Sequence, residues 1–242
     1  MNVRRAIVTG GSAGIGAALC RQLLAAGYEV ISLARRAPVA PTDRLTSIEI
    51  DLTDAEATRR VVFDLARERP ATTIVHNAGA VREKEVQDAT LEDLEALTHL
   101  HLAAPLALLQ ANLPQMKAEH YGRVVLVSSR AVLGLAKRTA YSATKAGMLG
   151  MARTWALELG PYGITTNVVA PGPIAETEVF EQIIPKDSPK LPGIVQSVPV
   201  RRLGKPDDVA RAVMFFVAPE SGFITGQTLF VCGGTSVGSI VY

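Results

Sequence analysis

Short runs of valine, isoleucine, leucine and alanine alternate with longer amphipathic stretches along the whole chain. Residues 3–8 form a short apolar run ending in glycines, residues 124–127 are β-branched, and residues 28–34, 72–76 and 164–169 are further short Val/Ile-containing segments; all are predicted as buried strands. Residues 45–50 alternate apolar and polar positions and end at Asp51, and residues 227–231 form a last strand before Gly233 and Gly234. Helices are predicted between these runs. The first covers 15–26 and stops at Gly27. The second runs from Thr53, through an apparent capping box with Glu56, to about Arg69 before Pro70. A long one runs from a Thr90 cap to near His120, another covers 139–159 before Gly160 and Pro161, and a last one covers 206–217 with proline at its start. Strand and helix alternate about six times, which implies an α/β domain with a parallel sheet covered by helices on both faces. Residues 173–205 are proline-rich and too long for an ordinary connection. Their apolar residues, Phe180, Ile183, Ile184, Leu191, Ile194 and Val195, predict a lid rather than a disordered loop.

Composition narrows the function classes. The chain has 242 residues, 48% hydrophobic and 20% charged, as expected of a soluble globular domain. A net charge of +2 gives no reason to expect nucleic acid or an anionic membrane as partner. No apolar run reaches the ~20 residues of a membrane span, and the first one ends at once in Thr9-Gly10-Gly11, unlike a signal peptide. The expectation is a cytoplasmic, enzyme-sized single domain. Cys20 and Cys232 lie far apart in apolar runs without metal-ligand spacing, so buried free thiols are predicted.

In an open parallel sheet, ligands bind beyond the C-terminal strand ends. There the first strand runs into Gly10-Gly11-Ser12-Ala13-Gly14-Ile15-Gly16 and opens a helix. Gly10 suits a tight turn, Gly14 a close approach of phosphate oxygens, and Gly16 close helix packing. The helix N-terminus would offer N–H groups and partial positive charge to a pyrophosphate. After the second strand, where an acidic residue would read an unphosphorylated ribose, stand Ala34, Arg35 and Arg36. Two guanidiniums suit a 2′-phosphate, so NADP(H) is favoured and NAD(H) is the alternative. Asp51 and Leu52 are candidates for the adenine edge, and Asn77, Ala78 and Gly79 for the adenosine side.

Tyr141 and Lys145 stand at i and i+4 on one helical face. A phenol titrates near pH ~10, and a neighbouring ammonium would bring it toward neutrality as an acid or base. Ser129, at a strand end on the ligand edge, would hold a substrate oxygen.

Taken together, Thr9-Gly10-x-x-x-Gly14-x-Gly16, Asn77-Ala78-Gly79, Ser129, Tyr141-x-x-x-Lys145 and Pro171-Gly172-Pro173-Ile174 resemble the short-chain dehydrogenase/reductase family. The segments "RLGKPDDVARAV" and "ITGQTLFVCGG" extend the likeness over essentially the whole chain, with an overall pattern similar to 3-oxoacyl-carrier-protein reductases. The resemblance implies a Rossmann-type doubly wound sheet of about seven strands and a small carbonyl or alcohol substrate. It implies that Tyr141 exchanges the proton and that Ser129 orients the reacting oxygen. Lys145 would lower the tyrosine's pKa and bond the nicotinamide ribose. Ile174, after Pro171 and Gly172, would bond the carboxamide through its backbone, with Thr177 as a further contact. A homotetramer or homodimer is also implied, and the apolar tail "VGSIVY" is consistent with a buried contact.

The chain departs from the family pattern at several positions. The helical asparagine forty residues before the tyrosine is His101, either a proton carrier or an ordinary helix residue. His76 replaces the first asparagine of "NNAG", and Cys232 replaces an aspartate. The catalytic serine is Ser129 by motif, while the commoner spacing would select Ser128; strand alternation points the two to opposite sides. His120 and Tyr162 stand where carrier-protein users tend to have arginines, so a small hydroxy or keto compound rivals a carrier-bound one. Arg130, Lys137 and Arg138 are candidates for selecting an acidic substrate, Arg130 first because it follows the serine. A non-catalytic nucleotide-binding regulator is the rival class, and the chain is too short for the substrate domain of a sugar-nucleotide epimerase.

Overall fold

A computed structural model describes residues 4–37 and 42–237. Its seven strands are β1 (Arg5–Thr9), β2 (Glu29–Ala34), β3 (Leu45–Glu49), β4 (Thr73–His76), β5 (Gly122–Val127), β6 (Ile164–Pro171) and β7 (Thr228–Val231). They form one sheet in the order β3-β2-β1-β4-β5-β6-β7, with every pairing parallel. This is the Rossmann-type doubly wound fold expected from the sequence. The order reverses between β1 and β4, so their C-terminal ends open the crevice where such sheets bind ligands.

The strand residues sort by alternation onto two cores. Ile7, Ile74, Val124, Leu126 and Val168 face the side covered by α2 (Ala55–Glu68), α4 (Ala104–Ala118) and α5 (Thr139–Leu159). Ala6, Val8, Val75, Val125 and Val127 face α1 (Gly14–Ala25) and α8 (Pro206–Val217). Leu19 and Leu23 of α1 are fully buried against the second face. Each such side chain contributes roughly 2 kcal/mol by leaving water. Numbered in chain order, the remaining helices are α3 (Leu91–Thr98), α6 (Glu178–Ile183) and α7 (Leu191–Ser197).

Three local expectations change. The cap of α2 is Asp54, which accepts from the Ala57 N–H at 2.9 Å, not Thr53. Thr53 instead gives its N–H and hydroxyl to Asp51. The helix predicted from Thr90 to His120 keeps its Thr90 cap but is broken by a π-helical turn, His99–Ala103, between α3 and α4. Residues 173–205 carry two short helices, α6 and α7, which are too short to show periodicity. Both cysteines are free and buried as expected, and burial pushes the Cys20 thiol up to about 12. Among the described residues no helix is long and apolar enough to cross a membrane, and no cluster of metal-ligating side chains occurs. The predicted tail lies outside the described residues from Gly238 onward, as do the first three residues.

Candidate active site

A cavity of about 660 Å³ opens at the C-terminal edge of the sheet and continues under α6 and α7. It is lined by every residue singled out above as a cofactor or catalytic candidate except Gly16 and the candidate proton carrier His101; of the basic loop residues Arg130 and Arg138 line it and Lys137 does not.

Gly16 lies beneath the turn rather than on its surface. A Cβ there would collide with the Gly10 carbonyl, and Gly10 itself has φ +68°. The turn can therefore fold tightly only with glycine at both positions. It delivers α1 with its N-terminus toward the cavity and without a cap: Ala13 supplies no side-chain acceptor, and the first turn holds no acid. By contrast α2, α3 and α6 are capped by Asp54, Thr90 and Thr177. The free N–H groups and positive dipole end of α1 thus face a space that suits a phosphate. Thr9 holds this edge together. Its hydroxyl accepts from the Asn77 and Ala78 N–H groups at 3.0 and 2.9 Å and meets His76 Nδ1 at 3.0 Å. Asn77 donates back to the carbonyls of Thr9 and Gly10.

At the other rim Ala34 ends β2, and Arg35 and Arg36 line the cavity. Arg36 forms an ion pair with Glu178 at the start of α6, linking the two sides of the cleft. Asp51 is held below the usual carboxylate range, first by the Thr53 N–H and then by the Thr53 hydroxyl and the Arg35 charge, against an opposing effect of burial. It therefore remains ionised while turned into its own loop.

The catalytic candidates converge at the ends of β5 and α5. The Ser128 hydroxyl is buried and donates to the Lys145 carbonyl at 2.8 Å. Ser129 accepts from the Ala131 N–H at 3.1 Å and faces Tyr141. Burial raises the Tyr141 pKa above the ordinary phenol value; a hydrogen bond from Ser129 and the charge of Arg138 pull it back down. Lys145 is 2% exposed, its Nζ donates to the Val127 carbonyl at 2.8 Å, and it lies 5.9 Å from the Tyr141 ring centroid. Burial lowers its pKa to about 7. Ser129 and Arg138 thus offset part of the burial of the phenol, whose pKa stays above its ordinary value, and the lysine is poised near neutrality.

His101 sits behind this group, fully buried by the π turn. Its Nε2 accepts from the Ala80 N–H at 3.4 Å, and its Nδ1 lies 2.8 Å from the Thr144 hydroxyl. Thr144 passes its own proton to the Ala140 carbonyl, which assigns the imidazole proton to Nδ1. Burial, and then the charges of Lys145 and His76, hold the His101 pKa well below its usual value, so the ring is neutral. Burial and Lys145 push His76 down to about 3.

Sequence reasoning missed the pinning role of Thr9 and the Thr144 contact. A threonine at a strand end beside a glycine turn was a readable signal. The Thr144 contact spans 43 residues and had none.

The family model described as enoyl-(acyl carrier protein) reductase matches residues 10–236. A subunit of (2S)-[(R)-hydroxy(phenyl)methyl]succinyl-CoA dehydrogenase from Thauera aromatica is 40% identical over 164 residues, covering 68% of this chain and 64% of that protein. The 3-oxoacyl-[acyl-carrier-protein] reductase MabA of Mycobacterium bovis is 32% identical over 237 residues, covering 97% of this chain and 94% of that one. A gluconate 5-dehydrogenase from Burkholderia cenocepacia, solved with NADP and tartrate, superposes with a TM-score of 0.87 at 25% identity, covering 99% of this chain and 97% of that one. With an extended family match, this sheet order and this cleft, the chain belongs to the short-chain dehydrogenase/reductase family of oxidoreductases.

Proposed function

We propose that the protein is an NADP(H)-dependent oxidoreductase that interconverts a carbonyl, of ketone or 3-oxoacyl type, and a secondary alcohol. One observation carries this reading: Ser129, Tyr141 and Lys145 share a cavity whose far end holds an uncapped helix N-terminus and two arginines. The cofactor names of the gluconate dehydrogenase structure and the substrate names of the two relatives support it.

The residues present fit a phosphorylated dinucleotide. The first turn of α1 would hold the pyrophosphate, Arg35 and Arg36 the 2′-phosphate, and Ile174 and Thr177 the nicotinamide end. When bound, the cofactor supplies or accepts a hydride at the reacting carbon. Ser129 donates a hydrogen bond to the substrate oxygen and fixes it beside the phenol. In reduction Tyr141 gives its proton to that oxygen; in oxidation it takes the proton back. Lys145, one turn along the helix from Tyr141, would bond the nicotinamide ribose, while the charge of Arg138 favours the ionised phenol. Residues 173–205, through Phe180, Ile183 and Ile194, cover the reacting centre and exclude water.

Tyr141→Phe tests the reading. Turnover of NADPH with a panel of ketones and 3-oxoacyl thioesters should fall about a thousandfold or more, with NADPH affinity changed by less than about threefold. A variant with normal turnover would remove Tyr141 from the reaction.

A further inference from the structure

The charges lining the cavity are unevenly divided. Its two carboxylates, Asp51 and Glu178, both belong to the adenosine half, where one is turned onto Thr53 and the other paired with Arg36. The catalytic half is lined by Arg82, Arg130, Arg138 and Lys145, with no acid among the described lining residues. Arg138 differs from the other two arginines. Arg82 is an exposed rim residue, 54% accessible, facing Asp93 at 3.9 Å. The Arg138 side chain is 6% exposed and stands immediately before α5, three residues from Tyr141.

A buried guanidinium requires partners. Arg138 gives one N–H to the Lys137 carbonyl at 3.2 Å and one to a single oxygen of Glu83 at 3.0 Å. Glu83 is 45% exposed and lies outside the cavity lining. Three of the five guanidinium N–H groups thus have no protein partner among the described residues, and Arg138 is one of the residues that line the cavity. Val81, Leu135, Phe180, Ile183 and Ile194 add apolar wall to this part of the cavity. A neutral substrate would leave the guanidinium without an anionic partner in the cavity, whereas a carboxylate would engage it through charge-assisted bonds.

We propose that the substrate is an oxo acid or hydroxy acid whose free carboxylate, close to the reacting carbon, is bound by Arg138, with Arg130 assisting from the loop after β5. Arg138 is then the specificity-determining residue. This rests on the proposed carbonyl–alcohol chemistry and narrows it to an anionic substrate class.

The test uses the full-length protein with NADPH and a matched set: a 3-oxo acid, its methyl ester and its CoA thioester. The wild type should favour the acid over the ester by at least about 30-fold in kcat/KM. Arg138→Gln should lower turnover of both substrates by removing its charge from beside the Tyr141 phenol, and should lose a further factor of about 30 on the acid alone, through KM. Arg138→Lys keeps the charge and the Glu83 partner but loses the fork, so it should recover part of the loss; Arg130→Gln, on the loop, should show a smaller loss of the same sign. Equal losses on acid and ester, or a wild-type preference for the ester, would overturn the proposal. So would a CoA thioester preferred over the acid with Arg138→Gln neutral toward both. A second readout needs no turnover. In Tyr141→Phe with NADPH, the 3-hydroxy acid should bind more tightly than its ester, read by NADPH fluorescence, and Arg138→Gln should abolish the difference. Preferential acid binding without turnover of any member by wild type would sink the oxidoreductase reading and sustain the anion site; equal binding would sink the anion site alone.

Discussion

Lys145 is a cation buried without a carboxylate, and replacing it should therefore stabilise the ligand-free protein. Burial takes its pKa from the ordinary 10.5 down to about 7. Each tenfold change in proton affinity is worth about 1.4 kcal/mol, so holding the ammonium in the fold costs about 4–5 kcal/mol at low pH. At 2% exposure, solvent screening does little to discount that figure. The sign follows from linkage. Between pH 7 and 10.5 the unfolded chain binds the proton and the folded one does not, so wild-type stability rises with pH across that window. The penalty is complete below about 7 and absent above 10.5. Lys145→Met preserves the volume beside Met148 but strands the Val127 carbonyl, a loss of about 1–2 kcal/mol.

The expected outcome is a variant more stable than wild type by about 2–4 kcal/mol at pH 6. The advantage should shrink by about 4 kcal/mol by pH 10, which reverses the order of the two proteins. For a chain of this length that span corresponds to roughly 8–16 °C in Tm. Urea melts followed by circular dichroism, at one fixed protein concentration and without cofactor, measure it. The difference between the two curves isolates Lys145 from other groups that titrate in the same range. Parallel stability–pH curves would show that the lysine is not desolvated and refute the reasoning.

The serine assignment separates stability from rate. Ser128→Ala should destabilise by about 1 kcal/mol through its bond to the Lys145 carbonyl and leave kcat/KM within about threefold; Ser129→Ala should lower kcat about 100-fold, with a stability loss no larger than about 1 kcal/mol from its bond to the Ala131 N–H. The reverse pattern in steady-state kinetics and thermal melts would assign the reaction to Ser128. Arg35→Asp combined with Arg36→Ala should shift the NADPH/NADH preference by about 100-fold toward NADH in parallel kcat/KM measurements; an unchanged ratio would mean that both side chains only face solvent.

Most of the fold was legible because its signals are local. A parallel strand buried on both faces reads as an uninterrupted apolar run, and the punctuation by glycine and proline is carried in the same few residues. The seven strands followed, whereas their order, and with it the β1/β4 reversal, is a property of the assembled sheet. The failures are competitive or long-range. Thr53 and Asp54 are both competent caps; Asp51, two residues earlier, captured Thr53 and left Asp54 for the helix. The π turn contains His101, whose partner Thr144 lies 43 residues along the chain and leaves no local mark in the sequence. Spacing placed Tyr141 and Lys145 on one helix face, but it could not show that Nζ reaches the Val127 carbonyl or that Arg138 is the cation acting on the phenol. The buried side of Arg138 was hidden for the same reason: a basic residue in a loop has no local mark of its eventual burial.

The two histidines explain how so many basic groups share one buried site. His101 Nε2 must keep its lone pair to accept the Ala80 N–H, so a proton there would break that bond as well as face Lys145. The His76 Nδ1 shares a proton with a Thr9 hydroxyl that already accepts from two backbone N–H groups; the hydroxyl must donate, which makes Nδ1 the acceptor. Hydrogen bonding therefore fixes both rings neutral, in the same direction as burial. Positive charge at the catalytic end is thus left to Lys145 and the arginines, groups with donors to spare for oxygen ligands. A site arranged this way is unfavourable when empty and improves with each anion or oxygen it receives, which is the condition for binding energy to be directed at the reacting centre.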